Sequence, residues 1–552
     1  MSVNSNQLKI IPLGGFGEIG LNCLILETKR SMVMIDCGLM FPDDDLFGID
    51  VVIPSFNYVL ERKDKLQAII LTHGHEDHLG ALPWFLPYVD VPVYSSKFTL
   101  SILKNKLVEF NLQKHVRLRK VMRYDRLKLD DFSFTFFPVC HSIVEGFALG
   151  IETPVGKIVH TGDFKIDSNP LDGQFTDLKT IQEFSSDGVK ILFSDSTNIE
   201  RDGRALGEQE IKKSLDIIFA QAKGRILITL FSSHIQRIQE VFDLAYKYQR
   251  KVVVSGRSLL VNIELAKDLG FLKFSDEIYL SPEQAKDLPP EKLVLLLTGS
   301  QGEPLSALAR LARGDHRQLE VLPNDLVIMS SRIIPGNTKA ITKLINELYR
   351  LGADVIYEKV GAIHASGHAH REELREMIQT VNPEYFIPMH GEYRHLVKHA
   401  RLAIECGLKP ENVMVIEDGQ SVILSPTGLL LGPSIEKEQI YVDGKGVGDV
   451  GTTVIKDRQI LAGEGIVICT LIIDQKSGEL SYGPEFISKG FVFEQQFSHI
   501  LEDAKCIVLD VYENINPQET KKLEDKIRSN LRKFFKKILE RDPIVIPIVI
   551  SL

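Results

Sequence analysis

Three of the fifteen histidines in this chain fall within one short stretch, LTHGHEDHLGALPWF, as His73, His75 and His78, with Asp77 just before the last. Imidazole nitrogens and carboxylate oxygens are the donors that zinc takes in catalytic sites. The stretch begins where an apolar run, LQAIIL, gives out, and it continues into LGALPWFL. A buried strand, a tight loop of ligand-type residues and a helix start are therefore predicted. In such a loop His73 and His75 can point one way while Asp77 and His78 point another, so one loop can feed two adjacent metal ions. These residues alone cannot complete two coordination shells. Further donors stand where other apolar strands end: His141 after FTFFPVC, Asp163 closing GKIVHTGD, and His390 after EYFIPM. Two cations ~3.5–4 Å apart activate a water and clamp the attacking and leaving oxygens of a phosphodiester.

Bringing these donors together requires strand ends laid side by side. Up to residue 205 the chain alternates short strands and loops, among them LKIIPL, LNCLILET, SMVMIDCG, VPVYSS, FSFTFFPV and FALGIET. From residue 206 strand and helix alternate, through EQEIKKSLDIIFAQA, RILITLF, IQRIQEVFDLAYKYQ, KVVVSG, LVLLLTGS, DLVIMSS and NTKAITKLINELYRLG. That alternation predicts a parallel, Rossmann-like sheet. Asp163 and His390 must meet at one metal pair, yet the segment between them carries its own α/β pattern. The simplest topology loops a second domain out of the first and puts the site in the cleft between them. Beyond it, YVDGKGVGDVGTT reads as a linker. The tail carries strands GIVICTLIID and CIVLDV and a long basic helix, with Leu523, Ile527, Leu531, Phe534 and Ile538 as the stripe that packs on a small sheet.

Composition narrows the classes. Length suggests about three domains. A net charge of −9 with 44% hydrophobic and 25% charged residues is that of an ordinary soluble protein and gives no global argument for anionic partners. The six cysteines form no C-x-x-C pair, so neither a disulfide framework nor a thiolate zinc site is indicated. The start lacks a secretory signal, and no apolar run approaches the ~20 residues of a membrane helix. A cytoplasmic protein is expected. GFGEIG matches a dinucleotide fingerprint, but a strand follows it where a helix N-terminus is needed, so it reads as a glycine-rich loop near the site.

The order H-x-H-x-D-H, then a later His and TGD, resembles the metallo-β-lactamase fold in its dinuclear form. HTGDFKID, FSDSTN, SGHAHREE and PMHGEYRH narrow the resemblance to the β-CASP nucleases. With PLGGFGEIGLN and the C-terminal extension, the chain resembles the bacterial ribonuclease J family over nearly its whole length. The resemblance implies an α/β protein: a metallo-β-lactamase αββα sandwich, an inserted Rossmann-like β-CASP domain and a small α/β C-terminal domain. The expected division is a first sandwich part at 1–205, the β-CASP domain at 206–364, a second sandwich part at 365–445, a linker at 446–459 and the C-terminal domain at 460–552.

By the same resemblance His73, His75, His141 and Asp163 hold one zinc. Asp77, His78, Asp163 and His390 hold the other, with Asp163 bridging and manganese as the alternative metal. Asp36 in MIDCG orients the loop from behind. Asp77 is catalytic through the metals, and Asp195 with His368 delivers the proton to the leaving oxygen. The terminal nucleotide and its phosphate are bordered by Ser232, Ser233, His234 and Ile235, where a strand opens into a helix. They are also bordered by Ser331 beside Ser330 and Arg332, and by His364, Ala365, Ser366, Gly367 and His368. Gly48, Asp50 and Asp443 could share a structural calcium. After His141 the chain reads SIVEG where the family usually has SIPG or SIPD, so the ligand is kept while the shape of the loop behind it stays open.

The implied activity is a 5′→3′ exonuclease on 5′-monophosphorylated single-stranded RNA, with endonuclease action where RNA threads past the phosphate pocket, in mRNA decay and rRNA maturation. The implied state is a homodimer or homotetramer with RNA-decay or ribosome-associated partners and no membrane. A DNA nuclease and a small-ester or lactam hydrolase are the competing hydrolase readings. An inactive scaffold would show lost ligand positions, and here every one is filled.

Overall fold

The apolar runs form two facing sheets in the computed structural model, which describes residues 4, 6–43, 45–334, 337–358, 360–492, 494–516 and 519–552. The chain divides into two units, Met1–Phe41 with Val52–Ile440, and Pro42–Val51 with Tyr441–Leu552. In the first unit an eight-stranded sheet runs Gly428–Ser434, Gln420–Ser425, Leu8–Gly14, Cys23–Glu27, Met32–Ile35, Leu66–Ile70, Pro92–Ser95, Arg117–Lys120. A six-stranded sheet runs Tyr385–Met389, Ile191–Asp195, Gly156–His160, Gly146–Thr153, Phe132–Val139, Arg126–Leu129. Ile10, Leu24, Val33 and Ile70 of the first meet Phe134, Phe136, Leu149, Ile158 and Phe193 of the second. Successive strand residues face opposite ways. Phe137, Leu192 and Phe386 thus turn outward and bury Ile181, Met377 and Leu402 of the covering helices Leu178–Ser185, Arg371–Val381 and Tyr393–Glu405. The sandwich of helices around two sheets is the one expected.

Parallel register supplies the common edge that the chemistry needs. Met32–Ile35 runs parallel to Leu66–Ile70, and Gly156–His160 runs parallel to Ile191–Asp195, which runs parallel to Tyr385–Met389. Parallel neighbours end on the same side. Asp36, His73, Asp163, Asp195 and His390 all stand at or just beyond those C-terminal ends.

The inserted segment forms a sheet of six parallel strands, in the order Tyr279–Leu280, Lys251–Ser255, Leu293–Leu297, Ile226–Thr229, Leu326–Met329, Asp354–Ile356. Helices cover both faces, so LVLLL is buried at every position, as a central parallel strand requires. The divergent SIVEG loop reaches into this layer. Ile143 and Val144 are buried with Ile235, Ile238 and Ile363, and Glu145 Oε2 accepts from the Phe98 backbone N–H at 2.9 Å. His141 is buried as well. The GFGEIG loop is followed by the strand Cys23–Glu27, and Phe16–Gly17 pairs with Gly391–Glu392 beside His390.

The second unit is a sheet ordered Leu480–Lys489, Ile466–Ile473, Ile544–Ser551, with helices Glu494–Glu513 and Thr520–Leu539. Three local expectations differ. CIVLDV lies inside the helix Glu494–Glu513, because Ile500, Ala504 and Val508 repeat every four residues and share one buried face, and that packing outweighs β-propensity. The expected linker carries a helix, Thr452–Glu464, which buries Ile455. In Thr520–Leu539 the stripe continues from Leu531 to Phe535, and Ile538 is 52% exposed.

Of the residues expected around calcium, Asp443 and Gly48 lie against the Arg458 guanidinium. Arg458 Nη2 donates to Asp443 Oδ2 at 2.6 Å and Nη1 to the Phe47 carbonyl at 2.9 Å. A Cβ on Gly48 would lie 2.7 Å from Nη1, and Asp50 Oδ2 accepts from the Gly444 N–H. One oxygen of each carboxylate, Asp443 Oδ2 and Asp50 Oδ2, is engaged by these donors. Among the described residues no helix is long and apolar enough to cross a membrane.

Candidate metal centre

The strand-end donors converge. The groups His73–His75–His141–Asp163 and Asp77–His78–Asp163–His390 each place their ligand atoms within 4.8 Å of one another, and Asp163 belongs to both. The same holds for a third set, Asp163 with Asp195, His368 and His390. Asp163 Oδ2 lies 3.2 Å from His78 Nε2 and 3.7 Å from both His73 Nε2 and His141 Nε2, while Oδ1 lies 3.6 Å from His390 Nδ1. His390 Nε2 lies 3.2 Å from Asp77 Oδ2.

Each ring is turned by a partner behind it. Asp36 accepts from the Thr72 N–H and hydroxyl, both at 2.8 Å, and from His78 Nδ1 at 2.8 Å, which leaves His78 Nε2 facing the cluster. His141 Nδ1 donates to the Gly367 carbonyl at 2.6 Å, so its Nε2 faces inward. A Cβ on Gly367 would come within 2.9 Å of the His141 ring, which explains a glycine there. Gly38 has a similar reason. Its Cβ would sit 1.6 Å from the Asp77 carbonyl oxygen, so the loop can close over this position only without a side chain. His390 adopts a left-handed backbone, φ 53°, anchored by its N–H to the Gly15 carbonyl at 2.7 Å.

Several supporting residues escape a reading of the sequence. Asn22 Nδ2 donates to the Asp77 carbonyl at 3.0 Å and lies 3.1 Å from His78 Nε2. The Thr197 hydroxyl donates to Asp195 Oδ1 at 2.7 Å and lies 2.8 Å from His390 Nδ1. Asn198 Nδ2 donates to Ser366 Oγ at 2.6 Å and to the His368 carbonyl at 3.2 Å, and its Oδ1 accepts from Arg332 at 2.7 Å. Their only signal is position, since Asn22 follows GFGEIGL and Thr197 and Asn198 close FSDSTN.

The donor set fits divalent cations. His73 Nε2 and His141 Nε2 lie 3.0 and 3.1 Å from His75 Nδ1, so three imidazole nitrogens crowd one point. Burial holds His73 and His141 well below the usual histidine range and His75 down to about 4, which keeps their lone pairs free. Asp163 Oδ1 is buried with no hydrogen bond. Burial alone would raise Asp163, but His390 and His78 outweigh it and hold its carboxyl far below the ordinary range. Neutral His73, His75 and His141 beside an ionised, partly unsatisfied carboxylate are what a borderline cation requires. On the other flank burial opposes the imidazolium, but Asp163 outweighs it and raises His390 to about 10 and His78 well above its usual range, so a cation on that flank displaces their protons.

Beside this cluster His368 Nδ1 lies 2.8 Å from Asp195 Oδ2. Burial opposes the imidazolium, but the Asp195 carboxylate outweighs it and raises His368 above its usual range. Ser233 Oγ lies 3.2 Å from His75 Nε2, so the segment 232–235 of the inserted domain abuts the cluster. Ser331 Oγ donates to the Ser300 carbonyl and Ser366 Oγ accepts from the His368 N–H. His364 is pulled down to about 3 by burial, with Arg237 adding to it, so it is neutral there. Ala365 is buried beneath these groups.

Comparison with known proteins agrees with this arrangement. The chain matches the model of the ribonuclease J β-CASP domain over residues 223–348 and of the ribonuclease J C-terminal domain over 453–552. It matches a Zn-dependent metallo-hydrolase RNA specificity domain over 353–415 and a β-lactamase superfamily domain over 32–182. It is 39% identical to ribonuclease J of Thermus thermophilus, over 99% of this chain and 96% of that one. It is 36% identical to ribonuclease J 1 of Streptococcus pyogenes, over 100% of this chain and 99% of the relative. A solved Enterococcus faecalis protein of unknown function shares the fold, with TM-score 0.53 and 15% identity over 76% of this chain and 100% of that one. With relatives of this identity spanning its length, the chain belongs to the ribonuclease J family of metal-dependent ribonucleases.

Proposed function

We propose that this chain is a 5′→3′ exoribonuclease that holds two zinc ions, with manganese as a competent substitute, and that also cleaves internally when RNA threads through the cleft. The observation that carries the reading is Asp163, one carboxylate shared by two complete donor sets, with a charged Asp195–His368 pair at its side. A bound cation pair supplies Lewis acidity toward the phosphodiester and an activated water. The residues supply the rest. Asp36, Gly367 and Thr197 fix which nitrogen of His78, His141 and His390 faces the cluster. Asp195 holds a proton on His368 Nδ1, so Nε2 carries the proton that the leaving oxygen takes.

Ser232, Ser233, His234 and Ile235 open a helix whose first backbone N–H groups favour an anion. With Ser331 and residues 364–368 they form the proposed seat of a 5′-monophosphate. A seat one nucleotide from the cations would set the exonucleolytic step. We assign the cleft to the sandwich portions 1–205 and 365–445 and the inserted portion 206–364. A cytoplasmic homodimer or homotetramer acting in mRNA decay and rRNA maturation completes the reading. Self-association is supported by the C-terminal sheet, whose outer face exposes Ile487, Ile546, Ile548 and Ile550.

The test is RNA labelled at its 5′ end and carrying either a mono- or a triphosphate. The expected result is release of labelled mononucleotide from the monophosphorylated RNA, slower attack on the triphosphate, and loss of both with a chelator. Shortening from the 3′ end, or cleavage that a chelator does not touch, contradicts the reading.

A further inference from the structure

One buried guanidinium lies where the segments assigned to the RNA terminus meet. Arg237, 1% exposed, stands in the first turn of the helix Ile235–Lys247. Its Nη1 donates to Ser330 Oγ at 2.8 Å and to the Ile363 carbonyl at 2.9 Å. Its Nη2 donates to Glu208 Oε2, and its Nε lies 3.0 Å from Glu240 Oε2. Its backbone N–H donates to His234 Nδ1 at 3.2 Å. Ser330 Oγ also donates to the Ile363 carbonyl at 2.6 Å, which closes a triangle. Glu208 is itself buried. Its Oε1 accepts from Lys165 at 2.9 Å, two positions after Asp163, and its N–H donates to Asp167 at 3.0 Å.

This one residue therefore joins three segments. Its backbone N–H caps against His234, and its guanidinium grips Ser330 beside Ser331 and holds Ile363 next to His364. Through Glu208 and Lys165 it ties all three to the strand end that carries Asp163. A buried ion pair is poor value as a source of stability, because well-packed apolar side chains serve as well. The strands before Ser232 and Ser330 are already paired, with the Ser330 N–H on the Thr229 carbonyl; what the network adds is a fixed spacing from these two segments to residues 363–364 and to Lys165.

We infer that Arg237 is a positioning residue for the 5′-phosphate seat: without touching RNA, it sets the distances among residues 232–234, Ser331 and residues 364–366. The inference rests on the exonuclease reading above. Lysine keeps the charge but cannot present a planar fork to Ser330, Ile363 and Glu208 together.

The experiment compares Arg237→Lys and the milder Ser330→Ala with wild type on 5′-monophosphorylated and 5′-hydroxyl RNA, with metal content measured in each. Misplacement by about 1 Å can cost 10²-fold. The expected result for Arg237→Lys is a KM for 5′-monophosphorylated RNA raised at least about tenfold, with kcat within about threefold and metal content unchanged. Ser330→Ala, which deletes one atom and keeps the fold, is expected to raise the same KM about threefold or more. Both should narrow the preference for the monophosphate. A wild type that prefers the monophosphate, with Ser330→Ala and folded Arg237→Lys preferring it equally, overturns the role of Arg237 alone. Loss of kcat and metal together, with KM unchanged, overturns it as well. A wild type indifferent to the 5′ group overturns the exonuclease reading instead.

Discussion

Replacing Asp163 by asparagine is expected to lower RNA cleavage by more than about 10³-fold, or about 4 kcal/mol of transition-state stabilisation. Asp163 is the one residue common to both donor sets, with one oxygen toward His73, His78 and His141 and the other toward His390. Asparagine keeps the size and removes the charge that balances these rings. It also leaves an amide where one oxygen has no hydrogen-bond partner. Metal content should fall from the proposed two ions per chain to one or none, and circular dichroism should remain that of a folded protein, since the strands ending here are held by the Phe134–Phe193 core. An Asp163→Asn protein that cleaves RNA at the wild-type rate is the contrary outcome.

Substituting His368 by alanine should act on chemistry and leave the metals in place. Positioned acid catalysis contributes typically 10²–10⁴-fold, so kcat should fall within about that range while KM stays within about threefold. His368 Nδ1 is engaged by Asp195 at 2.8 Å, and Asp195 is held in turn by the Thr197 N–H and hydroxyl. Asp195→Asn should therefore produce part of the same loss, and the double variant should be little worse than His368→Ala, as expected for residues that act as a unit. The geometry also offers Asp163, Asp195, His368 and His390 as a donor set. Atomic absorption decides between the two roles. Two ions retained in His368→Ala support proton delivery, whereas loss of an ion in step with activity makes His368 a ligand.

How much of this was legible depended on whether a role is written locally. His73, His75, Asp77 and His78 sit in one run at the end of an apolar strand, and His141, Asp163 and His390 each follow another, so strand-end logic places them on one edge. Asn22 and Gly38 act through contacts that exist only once distant strands pair. Asn22 reaches Asp77, 55 positions away, and its type alone is that of any turn residue. Arg237 reads as one more polar position on an amphipathic helix, and only the tertiary structure puts its guanidinium against Ser330, 93 positions on.

The misread segments have the same origin. CIVLDV is β-branched enough for a strand, but its neighbours Ile500 and Ala504 put Val508 on a helical stripe that the sheet buries. The bond from Arg458 to Asp443 is likewise invisible in the spacing of the acids. Phe534 and Phe535 are adjacent, and only packing against Phe491 selects the second for the core.

The central claim is that donors remote in sequence converge to hold a pair of cations. Anomalous diffraction above and below the zinc absorption edge, from crystals grown with zinc, tests it most directly. Two peaks ~3.5–4 Å apart, on either side of Asp163 and bounded by His73, His75 and His141 on one flank and Asp77, His78 and His390 on the other, are expected. A single peak away from Asp163, or zinc only on surface histidines, would contradict the account.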